Sequence, residues 1–104
     1  MIHAVYDLND GRYTYLHVSG HAESDEYGKD LICASVSSIL FGFMNALDET
    51  GEKVRIDQSM NEIEIENDSR SEVVDHYFEL VLIQLKTIEE SYGEYIKVER
   101  KKNT

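Results

Sequence analysis

Residues 53–66, KVRIDQSMNEIEIE, read as two strands with a turn between them. Val54 and Ile56 alternate with Lys53, Arg55 and Asp57, and Ile63 and Ile65 alternate with Glu62, Glu64 and Glu66. Successive side chains on a strand point to opposite faces. The hairpin, about Lys53–Asp57 paired with Glu62–Glu66, therefore has one apolar face and one wet face. A sheet built this way carries its helices on the apolar side only. The glutamates read as a solvated face rather than as a carboxylate site.

Working outward, two further strands precede the hairpin. The first is about Ile2–Leu8, the second about Arg12–Ser19, and Asn9-Asp10-Gly11 supplies the tight turn, since Asp-Gly tolerates positive φ. In the second strand Leu16 and Val18 point one way, Tyr15 and His17 the other. Gly20–Lys29 is polar and without period, so it reads as a mobile loop. Asp30 reads as the N-cap of a helix that runs to about Thr50 and stops at Gly51. Its core stripe is Ile32, Val36, Ile39, Leu40, Phe43 and Leu47.

After the hairpin, a second helix spans about Ser71–Tyr92 on the stripe Val74, Tyr77, Phe78, Val81, Leu85, Ile88 and Tyr92. Val73, Leu80 and Ile83 form a second apolar set on another side. One helix on a sheet does not need two stripes. The surplus set reads either as a partner surface, a homodimer being the simplest, or as a face covered by the other helix. Gly93 ends this helix, and Glu94–Arg100 reads as a last strand. The fold expected is α+β: a five-stranded sheet with two helices on one face, order β-β-α-β-β-α-β, in one domain over residues 1–104.

Composition narrows the function. The net charge is −11 in 104 residues, a surface that repels nucleic acid and anionic lipid and attracts basic peptides. No apolar run approaches the ~20 residues of a membrane span. The first residues, Met1-Ile2-His3-Ala4-Val5-Tyr6-Asp7, lack a signal peptide's pattern. A single cysteine excludes an internal disulfide and a CxxC pair, and fits a reducing, cytoplasmic setting.

That cysteine carries the chemistry. With Asp30 as cap, Cys33 falls in the first helical turn, where unpaired N–H groups and the helix dipole favour a thiolate. It lies about 70° from the centre of the core stripe at 100° per residue, beside Ser37 and Leu40. An inert, buried cysteine is the competing reading. His21 follows Ser19-Gly20 at the end of the second strand. Strand end and helix start commonly meet at one edge of such a layer, so His21 can meet Cys33 as the base that thiol attack on a carbonyl requires. The N–H groups around Cys33 would then hold the oxyanion. Asp30 reads as cap or as a group orienting His21, and Ser37 as a hydroxyl steadying the thiolate or a water. His3, His17 and His76 lack metal spacing, and no metal or cofactor is expected.

Gly20-His21-Ala22, followed by Gly28-x-Asp30-x-x-Cys33-Ala34-x-x-Ser37, resembles the ribosomal-processing cysteine protease family called Prp, or YsxB-like. The resemblance implies removal of a short N-terminal extension from a large-subunit ribosomal protein, with cleavage after a Phe-rich segment. It implies His21 as base and Cys33 as nucleophile, and puts Gly20, Ala22 and Gly28 in a loop that moves over the substrate. It also implies a homodimer. Two rivals remain from the residues alone: a non-enzymatic acidic dimer that binds a basic ribosomal protein, and a thiol redox sensor, weakened by the missing second cysteine.

Overall fold

The computed structural model describes residues 1–20 and 27–102, with the backbone only over 27–30. Its elements are β1 Ile2–Asn9, β2 Arg12–Ser19, α1 Tyr27–Thr50, β3 Val54–Ser59, β4 Glu62–Asn67, α2 Glu72–Tyr92 and β5 Ile96–Arg100. Their order is the expected one, and the fold is α+β. His21 and Ala22 of the expected site lie outside the described residues, as does most of the expected loop.

The strands form one sheet in the order β3-β4-β2-β1-β5. β1 and β5 are parallel; the other neighbours are antiparallel. The β1–β2 turn puts Asp10 at φ 53° and Gly11 at φ 76°, as an Asp-Gly hairpin requires. Asn61, at φ 64°, closes the β3–β4 turn. Leu16, Val18, Ile65 and Ile96 face the helices and are buried. Tyr15, His17 and the three β4 glutamates occupy the other face, as the alternation predicts.

The helices fill the core face. Val74, Phe78, Val81 and Leu85 of α2 are buried, and Phe78 meets Phe43 of α1 edge-on at 5.1 Å and stacks on Tyr13 at 5.7 Å. The Ser71 hydroxyl caps α2 by accepting from the Val74 N–H at 3.2 Å. Tyr92 departs from its expected core position and is half exposed at the last residue of α2. The surplus set is not covered by α1: Val73, Leu80 and Ile83 are 49%, 55% and 56% exposed.

Two expectations about α1 are corrected. The helix starts at Tyr27, so Asp30 is its fourth residue rather than its cap, and Gly28 and Lys29 are helical rather than looped. Cap preference and an interior glycine are each worth only about 1 kcal/mol, whereas each added helical residue gains a backbone hydrogen bond. Second, Leu31–Thr50 is long and apolar enough, at a mean hydropathy of 1.6, to cross a membrane by length and composition. Ser, Gly and Ala interrupt the hydrophobes of this segment but dilute them only slightly. The stripe Ile32, Val36, Leu40, Phe43, Met44 and Leu47 is buried within the protein.

Candidate active site

β2 ends at Ser19, and Gly20 follows it. Gly20 takes φ +83°, and its N–H donates to the Asn61 carbonyl at 3.1 Å. A side chain at position 20 would strike the Met1 carbonyl oxygen. The expected Gly20 is thus demanded twice, by backbone conformation and by close approach.

Gly20 lines a cavity of about 230 Å³ with Cys33 and Ser37. The α1 wall is the series Cys33, Ser37, Phe41 at i, i+4 and i+8, so three side chains one turn apart face one space. Ile2, Val18, Val36, Leu40 and Ile63 make the interior apolar. The β3–β4 hairpin closes the far side through Gln58, Ser59, Asn61 and Glu62. Cys33 is half-buried, reachable from the cavity and supported from behind.

The position of Cys33 revises the expected chemistry. It is the seventh residue of α1, past the first turn in which the helix terminus acts most strongly on charge. Its own N–H belongs to the helical ladder, pointing to the carbonyl four residues back. The N–H groups beside Cys33 are therefore not free oxyanion donors. The nearest hydroxyl along the same wall is Ser37, which is exposed to the cavity.

The wet sheet face runs up to the same rim. His17 Nε2 lies 2.6 Å from Glu62 Oε1, which ties β2 to β4 beside the cavity mouth. Next along β2, the Tyr15 hydroxyl donates to Glu64 at 3.2 Å. Burial pushes the Tyr15 pKa up, and its hydrogen bond and the neighbouring glutamates add to the rise.

Of the expected residues, the structure brings Gly20, Cys33 and Ser37 together. Gly28 and Asp30 sit on α1 two turns or less before the thiol. Phe41, the next step of the 33–37 series, belongs to neither the expected core stripe nor the expected site, although its spacing made it legible. The hairpin residues gave no local signal; only the sheet order brings them across from α1.

Comparison with known proteins agrees with this geometry. The family model described as cysteine protease Prp matches residues 1–97. The ribosomal processing cysteine protease Prp of Staphylococcus aureus is 34% identical over 97% of this chain and 100% of its own length. The protein of that name from Mycoplasma pneumoniae is 31% identical over 81% of this chain and 84% of its own. Two crystal structures of the S. aureus protease are similar throughout. The form with a substrate peptide has a TM-score of 0.88 at 31% identity. The form with a covalently linked product peptide has a TM-score of 0.87 at 33% identity, and each comparison covers 97% of this chain and 100% of the other. The lone cysteine in its apolar cavity thus sits in a chain that belongs to the cysteine protease Prp family.

Proposed function

We propose that this protease removes the short N-terminal extension of a large-subunit ribosomal protein in the cytoplasm, with Cys33 as nucleophile and His21 as general base and acid. One observation carries the assignment: the only cysteine of a cysteine protease lines an open cavity with Ser37 and with Gly20, the residue before His21 in the chain. The Cys33 thiol gives its proton to His21 and its sulfur adds to the scissile carbonyl. His21 returns the proton to the departing amine as the C–N bond breaks. Water, deprotonated by His21, then cleaves the thioester, releasing the acid and restoring the thiol. Ser37 supplies a hydroxyl to the developing oxyanion, a role the helical N–H groups cannot fill. Asp30 orients His21.

Phe41 and the apolar walls suit an aromatic side chain beside the scissile bond, consistent with a Phe-rich segment. The net charge of −11 suits a basic ribosomal precursor. Val73, Leu80 and Ile83, left open on α2, are the proposed homodimer contact.

The test is cleavage of a synthetic peptide bearing that extension, followed by mass spectrometry. Cleavage by the unmodified protein, and its loss in Cys33→Ser and His21→Ala with unchanged melting temperature, is expected. Normal cleavage by Cys33→Ser would remove the nucleophile assignment. Binding without cleavage by the unmodified protein would favour the non-enzymatic module.

A further inference from the structure

β3 is an edge strand, and its hydrogen-bonding parity can be worked out from its neighbours. The Asp68 N–H donates to the Lys53 carbonyl at 3.0 Å, which makes residues 53 and 68 a hydrogen-bonded pair. Antiparallel partners alternate between bonded and non-bonded pairs. Arg55–Glu66, Asp57–Glu64 and Ser59–Glu62 are therefore bonded, and Val54–Asn67, Ile56–Ile65 and Gln58–Ile63 are not. An independent bond gives the same answer: Gly20 donates to the Asn61 carbonyl, so the odd residues of β4 face β2 and the even ones face β3. Hence the backbone N–H and C=O groups of Ile56 and Gln58 point away from the sheet. Among the described residues, β3 touches only β4 and α1.

The same stretch reaches the thiol. Gln58 and Ser59, at the end of β3, line the cavity that holds Cys33. The end of β3 is therefore shared by the open edge and the cavity wall.

We propose that the substrate peptide binds by strand addition, pairing its backbone with the outward N–H and C=O groups of Ile56 and Gln58 so that its scissile bond enters the Cys33 cavity. This rests on the protease reading above. The occupant is an extended peptide because the edge offers main-chain groups at strand spacing, which any sequence can meet. Side-chain selection is then left to the cavity. Asp57, Glu62 and Glu64 beside the same edge outnumber its one nearby arginine, Arg55, which pairs with Asp57 at 3.7 Å and Glu64 at 3.6 Å, and that negative balance favours a peptide carrying positive charge.

Amide exchange by NMR tests this with Cys33→Ser, which holds peptide without turnover, and the synthetic extension peptide. In the free protein the Ile56 and Gln58 amides should exchange freely while those of Arg55 and Asp57 are protected by β4. Peptide should slow Ile56 and Gln58 by at least about tenfold and leave Arg55 and Asp57 unchanged. N-methylating the peptide amides one at a time should weaken binding at alternate positions. Gln58→Pro, which deletes an outward N–H that β4 does not use, should raise KM more than Gln58→Ala, with similar melting temperatures. Ile56 and Gln58 amides already protected without peptide would mean that a second copy or other chain covers the edge, and would overturn the proposal. So would bound peptide that leaves them unprotected, while cleavage by the unmodified enzyme kept the protease reading intact. A peptide neither bound nor cleaved would overturn the protease reading itself.

Discussion

Gly20 presents its bare α-carbon to the carbonyl oxygen of Met1, at the rim of the cavity that holds Cys33. The contact leaves no room for a side chain at position 20. Gly20→Ala adds a methyl group to occupied space and forces a side chain into φ +83°. It should cost about 1–3 kcal/mol of stability, the usual range for such strain. It should also lower kcat/KM by more than the unfolded fraction explains, because the start of the His21 segment shifts. Thermal melts and peptide cleavage on the same samples check both; full activity with full stability would refute them.

Phe41 is half exposed while lining an apolar cavity, which is the condition of a side chain waiting for a partner. Phe41→Ala should raise KM roughly tenfold, since apolar pocket contacts are worth about 1–3 kcal/mol. Steady-state kinetics on the extension peptide decide it. A fall in kcat at constant KM would point to a different role.

Asn67 is buried and ties two neighbours together through three hydrogen bonds. Its amide donates to the Tyr13 carbonyl at 2.8 Å, and its Oδ1 accepts from the Ser69 N–H at 2.9 Å and hydroxyl at 2.7 Å. Asn67→Ala strands these groups and should cost about 1–3 kcal/mol. Urea denaturation should give a lower midpoint with an unchanged slope.

Tyr13 and Tyr15 are both held above the ordinary tyrosine pKa, chiefly by burial. In the unfolded chain they ionise near pH 10; in the native protein they keep the proton beyond that. Stability from these groups is therefore full below about pH 10 and is lost as pH rises through the higher native values. Tyr15→Phe should flatten the alkaline fall in melting temperature relative to the unsubstituted protein. An identical alkaline profile would show that Tyr15 contributes nothing to it.

Leu80 and Ile83 are both more than half exposed on α2, Leu80 at the groove beside Ile39 and Phe43 of α1. If they form the dimer contact, Leu80→Glu should shift sedimentation equilibrium from dimer to monomer without lowering the monomer's helix content. A dimer of undiminished affinity would place the interface elsewhere.

Much of this molecule was written locally. Alternation in 53–66 separated the wet face from the core face, because neighbouring residues on a strand must point opposite ways whatever surrounds them. The helical stripes and Asp-Gly turn are equally short-range, and so is the spaced motif around His21 and Cys33. What depended on distance was not legible. The start of α1 moved from Asp30 to Tyr27 because signals of about 1 kcal/mol compete there, and that shift changed the electrostatic setting of Cys33. The fate of Val73, Leu80 and Ile83 hung on how α1 crosses α2. The cavity itself arises only because α1 carries the chain from β2 over to the sheet edge, so that β4 pairs with β2 and β3 lies outermost. Sequence alone marked the spaced motif around His21 and Cys33 and which faces are apolar; the sheet order decided that Gln58 and Ser59 share a cavity with the thiol, because pairing between distant strands leaves no mark on either one alone.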